Sequence, residues 1–86
     1  MHDTVYLDVR SSSDYANNHI DGSINLPPED IFEILPTLNL NKDSKIVVYC
    51  YSGARSNFVI NILKENGFTN LVNGINLDHV KKSIKS

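Results

Sequence analysis

The sequence predicts an α/β fold: an open, mostly parallel sheet of four or five short strands flanked by helices. Three observations carry this. The apolar runs Val5–Val9, Ile46–Tyr49 and Phe68–Val72 suit strands and are too short for helices. Elsewhere apolar residues recur at helical spacing, most clearly over 56–66 and 77–85. Strands and helices also alternate along the chain, the order that builds a parallel sheet.

Val5–Val9 is mostly apolar, as a parallel strand covered on both faces must be. Asp8 and Arg10 lie two apart and share one face at its end, placed to pair with each other or with nearby loops. Ser11 to Asn18 reads as a short helix: a serine caps it, Asp14 favours its first turn, and two asparagines end it. Tyr15 is expected in the core or at its rim. Asp21-Gly22 marks a turn, and Ser23–Leu26 is a short strand that Pro27-Pro28 stops. Pro28 suits the first turn of a helix over Glu29–Leu35, with Ile31, Ile34 and Leu35 facing inward and Pro36 ending it.

Thr37 to Lys45 is a polar connection anchored by Leu38 and Leu40. After the central strand at Ile46–Tyr49, the strongest helix spans Ser56–Asn66. Phe58, Val59, Ile60, Ile62 and Leu63 form its buried face, and Gly67 closes it. Phe68–Val72 is the last strand, with Asn73-Gly74 as a turn at its C-terminal end. Leu77–Lys85 is the final helix. Leu77, Val80 and Ile84 face inward, and its lysines favour the C-terminal dipole end. His79 reads as a surface residue.

The chain has 86 residues, enough for one domain over 1–86 with one modest core. Its 41% apolar content argues for a folded protein, and a net charge of -2 gives no reason to expect nucleic acid or an anionic membrane as partner. No stretch approaches the ~20 apolar residues that span a bilayer. Met1-His2-Asp3-Thr4 has neither a basic segment nor an apolar run, so no signal peptide is expected. A single cysteine excludes an internal disulfide and a multi-cysteine metal site, and fits a reducing, cytoplasmic setting. Each helix spends one apolar stripe on the core, so a monomer is expected.

That cysteine is the centre of interest. Cys50 follows the central strand, and Tyr51, Ser52, Gly53, Ala54, Arg55 and Ser56 lead from it into a helix. Strand, tight loop and helix aim backbone N–H groups and the positive end of a helix dipole at one point. A thiolate there has a lowered pKa and is a good nucleophile. Arg55 closes the loop with a permanent cation. The plainer reading is a buried structural cysteine. Position argues against it, since Cys50 lies beyond the apolar run beside glycine, arginine and serines. Asp8, Cys50 and Asn73-Gly74 all fall at the carboxyl ends of strands, where ligands of open α/β sheets bind.

Cys50-Tyr51-Ser52-Gly53-Ala54-Arg55-Ser56 resembles the active-site loop of the rhodanese family of sulfurtransferases. A second stretch agrees: Asp8-Val9-Arg10, then Tyr15, then His19-Ile20-Asp21-Gly22-Ser23-Ile24-Asn25-Leu26-Pro27. The resemblance covers nearly the whole chain as one copy of the domain. It implies transfer of a sulfane sulfur through a Cys50 persulfide, with no cofactor and no metal. The donor would be thiosulfate or a persulfide, and the acceptor cyanide, a thiol or a thioredoxin-like protein. Residues 51–56 would hold the substrate, with Arg55 orienting an anionic donor. Asp8, Arg10, His19, Asn73 and Gly74 would support the site. Where the family has glycine before the histidine this chain has Asn18, which can take the same left-handed conformation. Where relatives often have two glycines and then a tryptophan, it has Asn73-Gly74 and no tryptophan.

Two rivals remain. A cysteine phosphatase or arsenate reductase shares the strand–Cys–loop–Arg–helix plan, but the loop here is one residue shorter than in tyrosine phosphatases. A non-catalytic binding or regulatory module is the other, although inactive forms usually lose the cysteine that this chain keeps.

Overall fold

The computed structural model describes residues 4–85, so the expected domain bounds of 1–86 extend past it at both ends. The described residues form β1 (Val5–Asp8), α1 (Ser12–Asn17), β2 (Ile24–Asn25), α2 (Ile31–Ile34), β3 (Ile46–Cys50), α3 (Ala54–Glu65), β4 (Leu71–Asn76) and α4 (Leu77–Lys85). One four-stranded sheet in the order β2-β1-β3-β4 has every pairing parallel. This is the expected α/β architecture.

Alternation along the strands divides the core in two. Leu7, Val9, Ile46, Val48 and Cys50 join Leu26, Ile31, Val59, Ile60, Leu63 and Phe68 in the larger cluster. Val47 and Tyr49 point the other way, to Ile20 and Val80. Helices therefore cover both faces of β3, and all five of its residues are buried. Tyr49, fully buried, keeps its hydroxyl satisfied: it accepts from the Ile20 amide at 3.1 Å and donates to Ser23 Oγ at 3.3 Å. Leu38 and Leu40 anchor the long connection as expected. No helix of the described residues is long and apolar enough to cross a membrane.

Several local expectations need correction. Asn18 is extended (φ -167°) rather than left-handed, and in that conformation its carbonyl accepts a bond from the Arg10 guanidinium. The second α-helix ends at Ile34, just before Pro36 as expected, but the chain does not leave helical geometry there. Pro36 sits at the start of a 3-10 turn over Leu35–Leu38, where its missing N–H breaks no bond, and the chain reverses at Asn39 (φ 51°). A 3-10 turn over Pro28–Asp30 likewise leads into α2.

α3 starts two residues early, at Ala54, and turns Phe58 to the side opposite Val59, Ile60 and Leu63, so Phe58 is 56% exposed. Ile84 is also half exposed, at the rim of a cavity shared with Tyr6 and Val72. Phe32 is exposed too, so the premise of the monomer expectation, that the core consumes every helix's apolar residues, does not hold for α2 and α3.

The largest correction concerns Asn73-Gly74, which is no turn. β4 begins at Leu71, later than expected, and runs straight through both residues to Asn76. Val48 pairs with Asn73 and Tyr49 with Ile75, so Gly74 is the extra residue of a bulge. A Cβ at Gly74 would lie 2.6 Å from Val80 Cγ2 and 2.8 Å from Val47 Cγ1. Only glycine lets β4 and α4 pack this closely.

Candidate active site

β3 delivers Cys50 to the carboxyl end of the sheet, opposite Asn76 of β4. The chain then turns through Tyr51 and Ser52 to Gly53, whose φ of 97° reverses it into α3. This turn brings the first amides of α3 back onto the cysteine. Gly53 N–H donates to Cys50 Sγ at 3.2 Å and Ser56 N–H at 3.4 Å. Both are orphan donors of a helix N-terminus, and the sulfur is what satisfies them.

Burial pushes the Cys50 thiol up. The Ser56 side chain and the Ser56, Ser52 and Gly53 amides outweigh it, and Cys50 sits below its ordinary value of 9.0. Ser56 is fully buried, and its Oγ has no hydrogen-bond partner among the described residues.

The loop is held from two sides. Asn73 Nδ2 donates to the Gly53 carbonyl at 3.0 Å, while Asn73 Oδ1 accepts from the Ile75 amide at 2.9 Å. Asn73 thus bolts the loop to β4, and Ile75 is left with φ 72°, a left-handed conformation unusual for a β-branched residue. On the other side the Tyr51 hydroxyl donates to Asp14 Oδ2. That bond, and a second from the Ser11 hydroxyl, hold the Asp14 carboxyl below its usual range.

Asp8 and Arg10 form a buried pair. Arg10 Nε donates to both carboxylate oxygens at 3.0 and 3.2 Å, Nη2 donates to one at 2.8 Å, and the Arg10 amide adds another bond at 3.0 Å. Asn25, to which sequence reasoning gave no role, donates to the carbonyls of Asp8 (3.0 Å) and Arg10 (3.1 Å). His19 stacks on Tyr15 with ring centroids 3.9 Å apart, and its Nδ1–H donates to the Tyr15 carbonyl at 2.7 Å. Its ring ties the α1 exit together and lines a different cavity from that of Cys50.

Cys50 opens into a cavity of about 310 Å³ lined by Arg10, Tyr51, Asn76, Leu77 and Asp78. Arg55 is not there. It lines a neighbouring cavity of about 490 Å³ with Pro28, Glu29, Ala54 and Phe58, and its guanidinium lies 5.4 Å from the centre of the Tyr51 ring. The structure therefore gathers Cys50, Tyr51, Ser52, Gly53, Ser56 and Arg10, and sets Ala54 and Arg55 to one side. Asn76, Leu77 and Asp78 escaped sequence reasoning. One signal was available: Asn76 precedes a helical pattern, and its Oδ1 caps α4 by accepting the His79 amide at 2.8 Å. Chemically, the arrangement can hold a thiolate, or the terminal sulfur of a group attached to it, on fixed backbone donors.

Residues 1–76 match the model of the rhodanese-like domain family. The chain is 34% identical over 68 residues to thiosulfate sulfurtransferase PspE of Escherichia coli strain K12, covering 79% of this chain and 65% of that protein. It is 32% identical over 87 residues to a tRNA uridine(34) hydroxylase of Photorhabdus laumondii, covering 94% of this chain and 25% of that protein. The chain thus spans less than two thirds of the length of either curated relative. Among solved structures, a rhodanese with anions from Escherichia coli superposes with a TM-score of 0.80 at 31% identity, covering 90% of this chain and 91% of that one.

Proposed function

The chain belongs to the rhodanese-like domain family, and from that premise we propose that it is a sulfurtransferase working through a Cys50 persulfide. One observation carries the reading: two backbone amides converge on the Cys50 sulfur at the carboxyl end of a central parallel strand, and the thiol lies below its ordinary pKa.

In the first half-reaction the Cys50 thiolate attacks the outer sulfur of the donor. The new S–S bond forms on Cys50 as the donor's bond to that sulfur breaks, and the leaving group departs with the electron pair. Thiosulfate leaves as sulfite and an organic persulfide as its thiolate. In the second, an acceptor attacks the terminal sulfur and frees the Cys50 thiolate, closing a ping-pong cycle. Cyanide, a small thiol or a thioredoxin-like protein would serve as acceptor. The Gly53 and Ser56 amides hold negative charge on sulfur throughout, as an oxyanion hole does on oxygen. Tyr51 and Arg55 shape the loop from outside. A reducing, cytoplasmic setting belongs to the same reading, because oxidation would trap the lone thiol.

Incubation with thiosulfate or a thiosulfonate, removal of donor and intact mass analysis test this. The expected result is a gain of about 32 Da, one sulfur, lost on adding cyanide or a reducing thiol. Cys50→Ser should abolish both the adduct and turnover. A folded, reduced sample that gains no sulfur from either donor would leave a binding module as the better reading. Phosphate release from an aryl phosphate that depends on Cys50 would instead point to a phosphatase.

A further inference from the structure

Resting on the sulfurtransferase reading, we propose that Asp78 makes the Cys50 cavity select against dianionic sulfur donors, so that its substrate class is an organic persulfide or another donor of low charge rather than thiosulfate. The charges around that cavity leave little to attract a dianion. Its one cation is Arg10, and this guanidinium is already matched by the fully buried Asp8 carboxylate through bonds from Nε and Nη2. Nη2 also serves the Asn18 carbonyl, which leaves the two N–H groups of Nη1 as donors on a pair with no net charge. The Gly53 and Ser56 amides are aimed at the sulfur and offset the charge of the thiolate itself. Arg55 lines the other cavity, beyond Tyr51.

Asp78, in the first turn of α4, lines the same cavity as Cys50 and makes no ion pair among the described residues. The ammonium of Lys81, one turn further along α4, instead lies 3.5 Å from Asn18 Oδ1. The N-terminus of α4 offsets part of the Asp78 charge, but no cation among the described residues pairs with it, so a carboxylate without a counter-ion lines the cavity into which Cys50 opens. Thiosulfate brings two negative charges past it to a thiolate, and leaves as a dianion. A protonated organic persulfide, R–S–SH, arrives neutral. Cys50 takes its outer sulfur with the proton, and R–S⁻ leaves with the electron pair, so charge balances without crowding the cavity.

The test compares thiosulfate with methanethiosulfonate, a donor of the same outer sulfur that carries one negative charge instead of two and leaves as methanesulfinate. Asp78→Asn removes the charge and keeps the shape, and the change in melting temperature reports on its fold. We expect kcat/KM for thiosulfate to rise about fivefold and that for methanethiosulfonate about twofold, since the repulsion scales with donor charge. For the wild type, raising ionic strength from about 0.01 M to about 0.15 M should speed thiosulfate more than methanethiosulfonate. Asp78→Lys should extend both trends. An unchanged donor ratio in both variants, or a fall with thiosulfate, overturns the proposal while the sulfurtransferase reading stands. Failure of both donors to leave a sulfur on Cys50 removes the two together.

Discussion

The Ser56 N–H points at the Cys50 sulfur from 3.4 Å, and the hydroxyl of the same residue is buried beside it without an oxygen or nitrogen partner. One residue, the third of α3, thus supplies two influences that lower the thiol.

Ser56→Ala separates those influences. The amide stays and the hydroxyl goes, so the pH profile of iodoacetamide alkylation should move to higher pH and persulfide formation at neutral pH should slow. Stability should hold, or rise by about 1 kcal/mol, because a buried hydroxyl without a partner is removed. The sign for the wild type follows from the lowered thiol. Its contribution to stability is present above the ordinary value of 9.0 and is lost as pH falls through the folded value. An alkylation profile identical in variant and wild type would show that the hydroxyl does not act on the sulfur.

Asn73→Ala should cost both stability and activity. It removes the bond to the Gly53 carbonyl and frees the Ile75 amide. A loss of about 1–3 kcal/mol in urea unfolding is expected. The Cys50 thiol should also rise toward its ordinary value as the Gly53 amide loses its aim. Loss of stability with an unmoved alkylation profile would mean that the loop keeps its shape without Asn73.

Gly74→Ala should be destabilising by about 1–3 kcal/mol, since its methyl would collide with Val80 and Val47. The second substitution Val80→Ala should recover part of that loss, a coupling that a double-mutant cycle reads directly. Additive losses would place the strain elsewhere.

Ile75→Gly should raise the melting temperature. A β-branched residue at φ 72° carries roughly 1–2 kcal/mol of backbone strain, and glycine relieves it at an entropic cost of about 0.5–1 kcal/mol. Ile75 is 37% exposed, so the burial lost with its side chain offsets part of that gain. A lower melting temperature would show that the packing of Ile75 outweighs its strain.

The sheet was legible because its cause is local. Runs such as Ile46–Tyr49 are apolar on both faces only when helices cover both sides, so the sequence alone implies a central parallel strand. The α1 cap was legible for the same reason: the Ser11 side chain accepts the Asp14 amide three residues on, a bond that neighbours in sequence make. The loop residues around Cys50 could be named in advance, since strand, glycine and helix start lie within a few positions of one another.

What the sequence by itself determined was the cysteine at the end of the central strand, its loop and the layered α/β plan, all of which follow from short-range patterns. Tertiary structure decided which face each residue meets. Gly74 read as a turn because glycine usually marks one, whereas here its missing Cβ admits Val80 from α4 and Val47 from β3. Arg55 read as the cation of the site because it is near Cys50 in sequence. The helix turned it into the next cavity and left Arg10 and Asp78, 40 and 28 positions from Cys50, to line the one into which Cys50 opens. Those meetings depend on packing between elements far apart in the chain, where periodicity and capping signals do not reach.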